Sequence, residues 1–333
     1  MSDYSIEKIV SWLKSEGREL AALYDKADKV RKDNMGDDIF LRGIIEFSNF
    51  CSKSCGYCGI GCGCDGVHRY RIPDDEILEA CEKMLGYGQT TVVLQSGEDS
   101  YYTKERMGDL IEKIKSKMTL AVTVSVGERS ESTYRYWKEK GMDRYLLRFE
   151  TSNRDLFEKS HPKDDFDDRI NCLKILQKIG VQVGSGFLIG IPGSTYESLA
   201  EDILFCTNLG LDMIGVGPFV PSPKTEFKSE KNPFDSEVFF KVIAILRLLN
   251  PKVHLPATTA FDAIHSNGRN LLLKRGCNVF MPNATPQKYR GDYLLYPGKP
   301  CVDESGDDCA RCVASRILSI GRNVGVGPGH SRL

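Results

Sequence analysis

The 333-residue chain has no long hydrophobic run, no excess of either charge and no repetitive or low-complexity tract. No apolar stretch approaches the roughly 20 residues that cross a bilayer, which argues against a membrane protein. With 45 basic and 46 acidic residues the formal net charge is −1. No global field therefore draws in nucleic acid or an anionic membrane surface. The opening MSDYSIEKIVSWLKSEGREL reads as a charged amphipathic helix without the apolar core of a signal peptide, so a cytoplasmic location is expected. No Pro- or Ser-rich linker divides the chain, and its length suits one large α/β barrel or two ordinary domains.

Cysteine, by contrast, is plentiful. Eight of the twelve cysteines lie within residues 51–64 and 301–312, and nothing in the sequence signals export. Clustered thiols in a reducing compartment bind metal more often than they form disulfides. Cys81, Cys172, Cys206 and Cys277 stand alone in apolar or amphipathic segments and read as buried, inert thiols.

An apolar β-branched run, a polar or Gly-rich turn and an amphipathic helix recur along the chain. The expected strands cover 40–48, 90–96, 119–126, 144–150, 181–190, 213–219, 254–260 and 278–283. Helices are expected at 74–88 and 236–250, with Asp74 and Ser236 as N-caps. Eight uninterrupted alternations predict an α/β fold, a closed (β/α)8 TIM-type barrel, with an open doubly wound sheet as the other solution. The division expected is an N-terminal helical extension (1–38), the barrel (39–300) and a C-terminal cysteine-containing segment (301–333). In a barrel, chemistry sits at the C-terminal ends of the strands.

Directly after the first strand comes CSKSCGYCGIGCGC, in which Cys51, Cys55 and Cys58 are spaced C-x3-C-x2-C and Tyr57 precedes the third cysteine. A structural zinc site would need a fourth ligand, from Cys62 or Cys64. The spacing and its place after strand one resemble the radical S-adenosylmethionine (SAM) superfamily. That resemblance implies a [4Fe–4S] cluster held by three thiolates, with its fourth iron open to SAM. It also implies an ordered set of SAM contacts: Tyr57 in the loop, Gly97 and Glu98 in SGED, Ser125, Glu150 in RFE, and Arg169 for the carboxylate. Singly, Glu150 and Arg169 also suit a surface ion pair, and Ser125 a capping hydroxyl. The glycine-rich GSGFLIGIPGST lacks the lysine of a P-loop, and no dinucleotide fingerprint is present. By resemblance Leu188 and Ile189 would wall the adenine, though core packing accounts for them equally.

Further stretches, among them VVLQSGEDSYY, GPFVPSPKT and NVFMPNATPQKYRGDYLLYPGKPC, resemble the HydE family of [FeFe]-hydrogenase maturases. The resemblance implies action on an iron–CO–cyanide–cysteine precursor, with a ferredoxin- or flavodoxin-like electron donor and other maturases as partners. It implies a barrel interior of polar groups and tyrosines without an acid–base dyad: Gln95, Arg148, Thr258 and Thr259, with Met213, Met281, Tyr293 and Tyr296. Strand alternation would put Arg148 and Glu150 on the inner face, and a buried arginine calls for an anion. Core packing is the alternative for the methionines and tyrosines, and β-propensity for the threonines. Cys301, Cys309 and Cys312 (C-x7-C-x2-C) match an auxiliary iron–sulfur site found in some family members; zinc or an empty site are the alternatives. Two departures stand out. Phe149 replaces a frequent histidine, and GIGCGCDG (59–66) replaces a basic segment. The second leaves open a HydE-like paralogue that works on an organic substrate, as methylornithine synthase or biotin synthase does.

Overall fold

A computed structural model of the chain describes residues 4–304 and 306–332, with side chains for all of these except 306–311. β1 (Asp38–Leu41) and β2 (Gly43–Ser48) are one strand interrupted at Arg42. The later strands are β3 (Thr91–Ser96), β4 (Ala121–Ser125), β5 (Arg144–Leu146), β6 (Gln182–Ser185), β7 (Leu188–Ile189), β8 (Met213–Ile214), β9 (Gly217–Pro218), β10 (Pro256–Ala257), β11 (Val279–Phe280) and β12 (Asn323–Val324). β2, β3, β4, β5, β6 and β8 pair in parallel, in that order. The parallel bridge Met213↔His254 carries the sheet to β10 and β11, and Ile44↔Asn283 returns it to β2. The ring closes into the expected eight-position parallel barrel.

The helices follow in chain order as α1 (Ile6–Leu13), α2 (Gly17–Met35), α3 (Asp74–Gly86), α4 (Lys104–Lys117), α5 (Glu131–Glu139), α6 (Arg154–Ser160), α7 (Phe166–Lys178), α8 (Tyr196–Asn208), α9 (Ser236–Leu249), α10 (Ala260–Ile264), α11 (Gly268–Lys274), α12 (Gln287–Arg290) and α13 (Gly306–Ser319). α1 packs on α8, and α2 on α9. None is long and apolar enough to cross a membrane.

Period-two alternation decides what faces inward. On β2, Ile45 and Phe47 join the core between sheet and helices, while Ile44 and Glu46 turn into the barrel. On β3, Val92 and Leu94 pack outward, and Val93 and Gln95 point in. Cys81, Cys172, Cys206 and Cys277 are buried, as expected.

Several boundaries differ from expectation. Both N-caps sit one residue earlier. Asp235, not Ser236, accepts from the Glu237 and Val238 amides, and Pro73 precedes α3 while Asp74 pairs with Lys113. The fifth and sixth expected strands break because Gly186 turns to φ 154°, where an added Cβ would meet the Gly215 carbonyl oxygen at 2.0 Å. The fourth ends at Leu146, four residues before Glu150. Thr258 and Thr259 lie past β10 rather than within a strand, and Thr259 is already helical (φ −62°, ψ −28°) at the start of α10.

The floor of the barrel is filled by the C-terminal residues. Arg144 Nη2 donates to the Pro328 carbonyl (2.9 Å) and meets His330 Nδ1 (3.0 Å), while Arg42 Nη2 donates to the Gly329 carbonyl (3.1 Å). His254 Nε2 lies 3.2 Å from the His330 carbonyl. β12 pairs with β1, which fixes this tail against the first strand.

Candidate active site

The cysteine loop leaves the C-terminal end of β2 and is stapled on three sides. Asn49, fully buried, donates to the His68 and Asp292 carbonyls (2.8 and 2.7 Å) and accepts from the Tyr70 amide (2.8 Å). Arg69 donates to the carbonyls of Asn49, Ile60 and Gly61 (2.5, 2.6 and 2.7 Å). Ser48 and Arg71 both bond Asp99, and the Arg71 guanidinium lies 3.7 Å from the centroid of the Phe50 ring. Gly97 fits because a Cβ there would meet the Phe50 carbonyl at 2.3 Å; its close approach is to the loop itself. The next amide, Glu98 N, donates to Cys51 Sγ (3.3 Å).

The three thiols are partly buried, and burial raises all three pKa values, Cys58 to about 12. The protein alone thus holds them as thiols, and the positive charge that makes them thiolates has to come with a metal. Among the described residues no three His, Cys, Asp or Glu groups converge on a point suited to one metal ion. Three thiols on one loop, of a type that holds iron–sulfur clusters, fit a cluster with one iron left for another ligand. The other loop cysteines diverge. Cys64 Sγ donates to the Lys224 and Cys58 carbonyls (3.1 and 3.4 Å), and Cys62 is exposed.

Beside the loop lies a cavity with about 200 Å³ of space. Its walls include Tyr57, Gln95, Arg148, Leu188, Met213, Thr258, Thr259, Met281 and Tyr296. Of the expected interior residues only Tyr293 stands back; it is buried and receives Gln95 Nε2 on its hydroxyl at 3.4 Å. Thr259 and Tyr296 meet hydroxyl to hydroxyl at 3.2 Å. Ile189 belongs to the main core and not to the cavity. Phe149 packs outward against Phe187 and Phe205, as expected from its position.

Arg148 and Glu150 come together by a different route from strand alternation. The chain has left β5 by then, and Glu150 adopts a left-handed φ of 68°. Arg148 Nη2 approaches Glu150 Oε2 to 2.8 Å, yet neither atom, nor Arg148 Nε, has a hydrogen-bond partner in acceptable alignment. Buried polar atoms of this kind are costly unless a ligand completes them. They fit a small polar cofactor.

Two of the remaining expected SAM contacts, Glu98 and Arg169, are engaged with other side chains and meet through Glu128. Glu98 accepts from the Glu128 amide (3.2 Å) and faces Lys53 at 3.6 Å; burial raises its pKa. Arg169 Nε donates to Glu128 (2.6 Å), and its other nitrogens reach the Arg148 carbonyl and Asp164. Ser125 ends β4, half-buried.

Two parts of the site escaped the sequence reading. Glu46 and Lys299, both nearly buried, form a cavity-wall ion pair with contacts of 2.5 and 2.6 Å, so the interior does contain a charged pair. Glu46 occupies an inward strand position, which was a usable signal. His161 has none in the sequence: its Nε2 lies 2.9 Å from the Tyr57 hydroxyl and its Nδ1 3.0 Å from Ser160 Oγ. Burial, with Arg169 nearby, lowers its pKa to about 3, which keeps it neutral.

At the C-terminal cysteines, Arg269 Nη2 approaches Cys301 Sγ at 3.8 Å, Cys301 has a positive φ of 62°, and Cys312 is exposed. The side chain of Cys309 lies outside the described residues.

A model of the Radical SAM superfamily matches residues 45–206, from the first barrel strand into α8, and the chain belongs to that superfamily as a radical SAM enzyme. Within it the chain falls on the HydE-like, hydrogenase-maturase branch. It is 44% identical over 304 residues to the [FeFe] hydrogenase maturase subunit HydE of Thermotoga maritima, a match that covers 91% of this chain and 87% of that one. It is 32% identical over 284 residues to 3-methylornithine synthase of Methanosarcina acetivorans, covering 84% and 78%. The solved methylornithine synthase (PylB) superposes with a TM-score of 0.83 at 27% identity, over 97% of this chain and 95% of that one. The maturase HydG of Carboxydothermus hydrogenoformans shares the fold, with a TM-score of 0.81 at 20% identity over 96% and 75%.

Proposed function

We propose that this enzyme reductively cleaves SAM and uses the product radical in assembly of the [FeFe]-hydrogenase active site, on an iron–CO–cyanide–cysteine precursor. When bound, the [4Fe–4S] cluster and SAM supply the electron and the 5′-deoxyadenosyl radical; the protein binds, orients and shields. Cys51, Cys55 and Cys58 hold the cluster. Tyr57, Gly97, Glu98, Ser125, Glu150, Arg169 and Leu188 bind SAM, with the Arg169 fork on its carboxylate. Arg148, Gln95, Thr258, Thr259, Met281, Tyr293 and Tyr296 contact the precursor in the cavity.

The observation that carries this reading is the unpartnered Arg148–Glu150 pair beside the cysteine loop. Once a cationic amine occupies Glu150, the half-buried Arg148 is left without its counter-ion, and its shielded Nε and Nη2 take an anionic ligand such as cyanide or carboxylate. The barrel core, 39–300, is the catalytic unit. Cys301, Cys309 and Cys312 form an auxiliary, non-catalytic metal site.

The test has two stages. Reconstituted, reduced protein given SAM without oxygen should produce 5′-deoxyadenosine; no product removes the radical reading. The gene should then restore hydrogenase activity to a host that lacks its own HydE. Failure there, with SAM cleavage intact, moves the enzyme to an organic substrate, the reading that the 32% identity to 3-methylornithine synthase favours.

A further inference from the structure

Glu150 is a non-glycine residue held at φ 68°, a conformation that side chains with a Cβ adopt at a cost and that persists only where its surroundings enforce it. On the barrel side the enforcement is backbone pairing. The Phe149 and Glu150 amides both donate to the Gly186 carbonyl (3.0 and 3.1 Å), and the Leu188 amide donates to the Glu150 carbonyl (2.9 Å). The Thr151 amide closes the turn across Glu150 onto the Phe149 carbonyl (2.9 Å), and on the outer side the side-chain bonds to this turn gather on one carboxylate. Asp202, on α8 and only 3% exposed, accepts from the Ser152 amide (2.5 Å), from Ser152 Oγ (2.7 Å) and from Thr151 Oγ1 (3.2 Å). Thr151 Oγ1 in turn accepts from the Asn153 amide (3.2 Å), and Asn153 caps α6. Arg148, with its unpartnered donors, stands two residues before Glu150.

We propose that Asp202 is a positioning residue for SAM binding: from the α8 layer it clamps the 151–153 turn and so holds Glu150 in its left-handed conformation, with the carboxylate facing Arg148. The inference rests on the reading of Glu150 as a SAM contact. The division of labour is physical. Glu150 cannot keep its carboxylate free for a ligand and also tie down its own backbone, so a second carboxylate, outside the cavity, does the tying. A carboxyl suits the task because its two oxygens can accept several bonds at once, from the Ser152 amide and from both hydroxyls. Three donors converge on one side chain, so its loss removes the tie to α8 in one step and leaves the turn to its own short-range bonds.

The test uses the cluster-reconstituted full chain and two readouts: SAM affinity by equilibrium binding, and amide hydrogen exchange of the 150–153 segment without SAM. Asp202→Leu should weaken SAM binding by about tenfold or more and speed exchange in the turn, with the cluster spectrum unchanged. Asp202→Asn, which keeps an acceptor for the Ser152 amide, should recover most of the affinity. Should Asp202→Leu fail to fold, the Thr151→Val, Ser152→Ala double variant should move both readouts the same way, by about threefold. A folded Asp202→Leu protein with unchanged affinity and exchange overturns the proposal, as does an inert double variant. Glu150→Gln separates the two claims. If that variant binds SAM normally, the contact reading itself fails; if it binds weakly while Asp202→Leu does not, the clamp alone fails.

Discussion

The two ends of the barrel treat arginine in opposite ways. At the floor, the guanidinium of Arg144 is met by Gln182, Thr91, the Pro328 carbonyl and His330. Arg42 beside it takes the Gly329 carbonyl and the Met213 sulfur, and keeps only its Nε unpartnered. Among the described residues neither has a carboxylate within ion-pair distance, and burial lowers the pKa of both. At the mouth, Arg148 has a carboxylate 2.8 Å away and still leaves Nε and Nη2 without hydrogen bonds. One end spends the chain's own tail on its arginines; the other holds donors open. Satisfied donors mark architecture, and open ones beside a metal-capable loop mark the place for a ligand.

The largest effect that should separate the two ends comes from the cysteines at the mouth. Serine at Cys51, Cys55 or Cys58 should abolish 5′-deoxyadenosine formation, whereas serine at Cys301, Cys309 or Cys312 should spare it. Activity surviving the loss of Cys55 would show the ligand assignment to be wrong.

Next is the floor. Deleting residues 325–333 strips the carbonyl acceptors from Arg42 and Arg144, and should cost about 3 kcal/mol in chemical denaturation. SAM affinity of the folded fraction should hold. A truncated protein as stable as the parent would mean that water replaces the tail at no cost.

Arg148→Met should depart from that pattern. It removes the cation that faces the buried Glu150 carboxylate, so stability should fall by about 1 to 3 kcal/mol, no more than at the floor. Precursor-dependent turnover should fall at least about tenfold, while SAM cleavage without precursor continues.

The smallest effect is a pH dependence shared by both ends. His161 at the mouth and His254 at the floor both have pKa values lowered by burial to about 3. Between their unfolded value of roughly 6.5 and that range the unfolded chain binds the extra protons, so stability falls with pH below 6.5. Asp202 opposes this. Its pKa is raised by burial to about 7, so over the same interval the native state holds its proton and stability rises as pH falls. The net is one histidine-like loss, about 1 to 2 kcal/mol between pH 6.5 and 5. His254→Asn should flatten the profile, and Asp202→Asn should steepen it. Unchanged profiles in both variants would sink the assignment.

What the sequence made legible follows the range of the interactions. The eight strand positions, the loop cysteines and all but one of the expected cavity residues were readable, because alternation, turn chemistry and spacing are local. Strand ends were not, since Gly186 and Thr259 depart from extended backbone for reasons set by neighbours distant in sequence. His161 and Lys299 were invisible for the same reason. They act 104 and 253 residues from Tyr57 and Glu46, and a lone histidine or lysine in a loop carries no mark of its partner. Cys62 and Cys64 continue the same run in sequence, but Cys62 is exposed and the Cys64 thiol donates to the Lys224 and Cys58 carbonyls, contacts that spacing does not reveal.

The pairing of β12 with β1, Asp38↔Asn323, has a consequence for how the protein is made. The edge of the first strand and the floor beneath it stay unfinished until the residues near 323–330 exist, so contacts of the longest sequence separation come last. Closing so large a loop makes folding slow and exposes strand edges during synthesis. The cysteine loop is made within the first quarter of the chain, yet its own staples to Asp99, Asp292 and Leu295 also wait for residues made later.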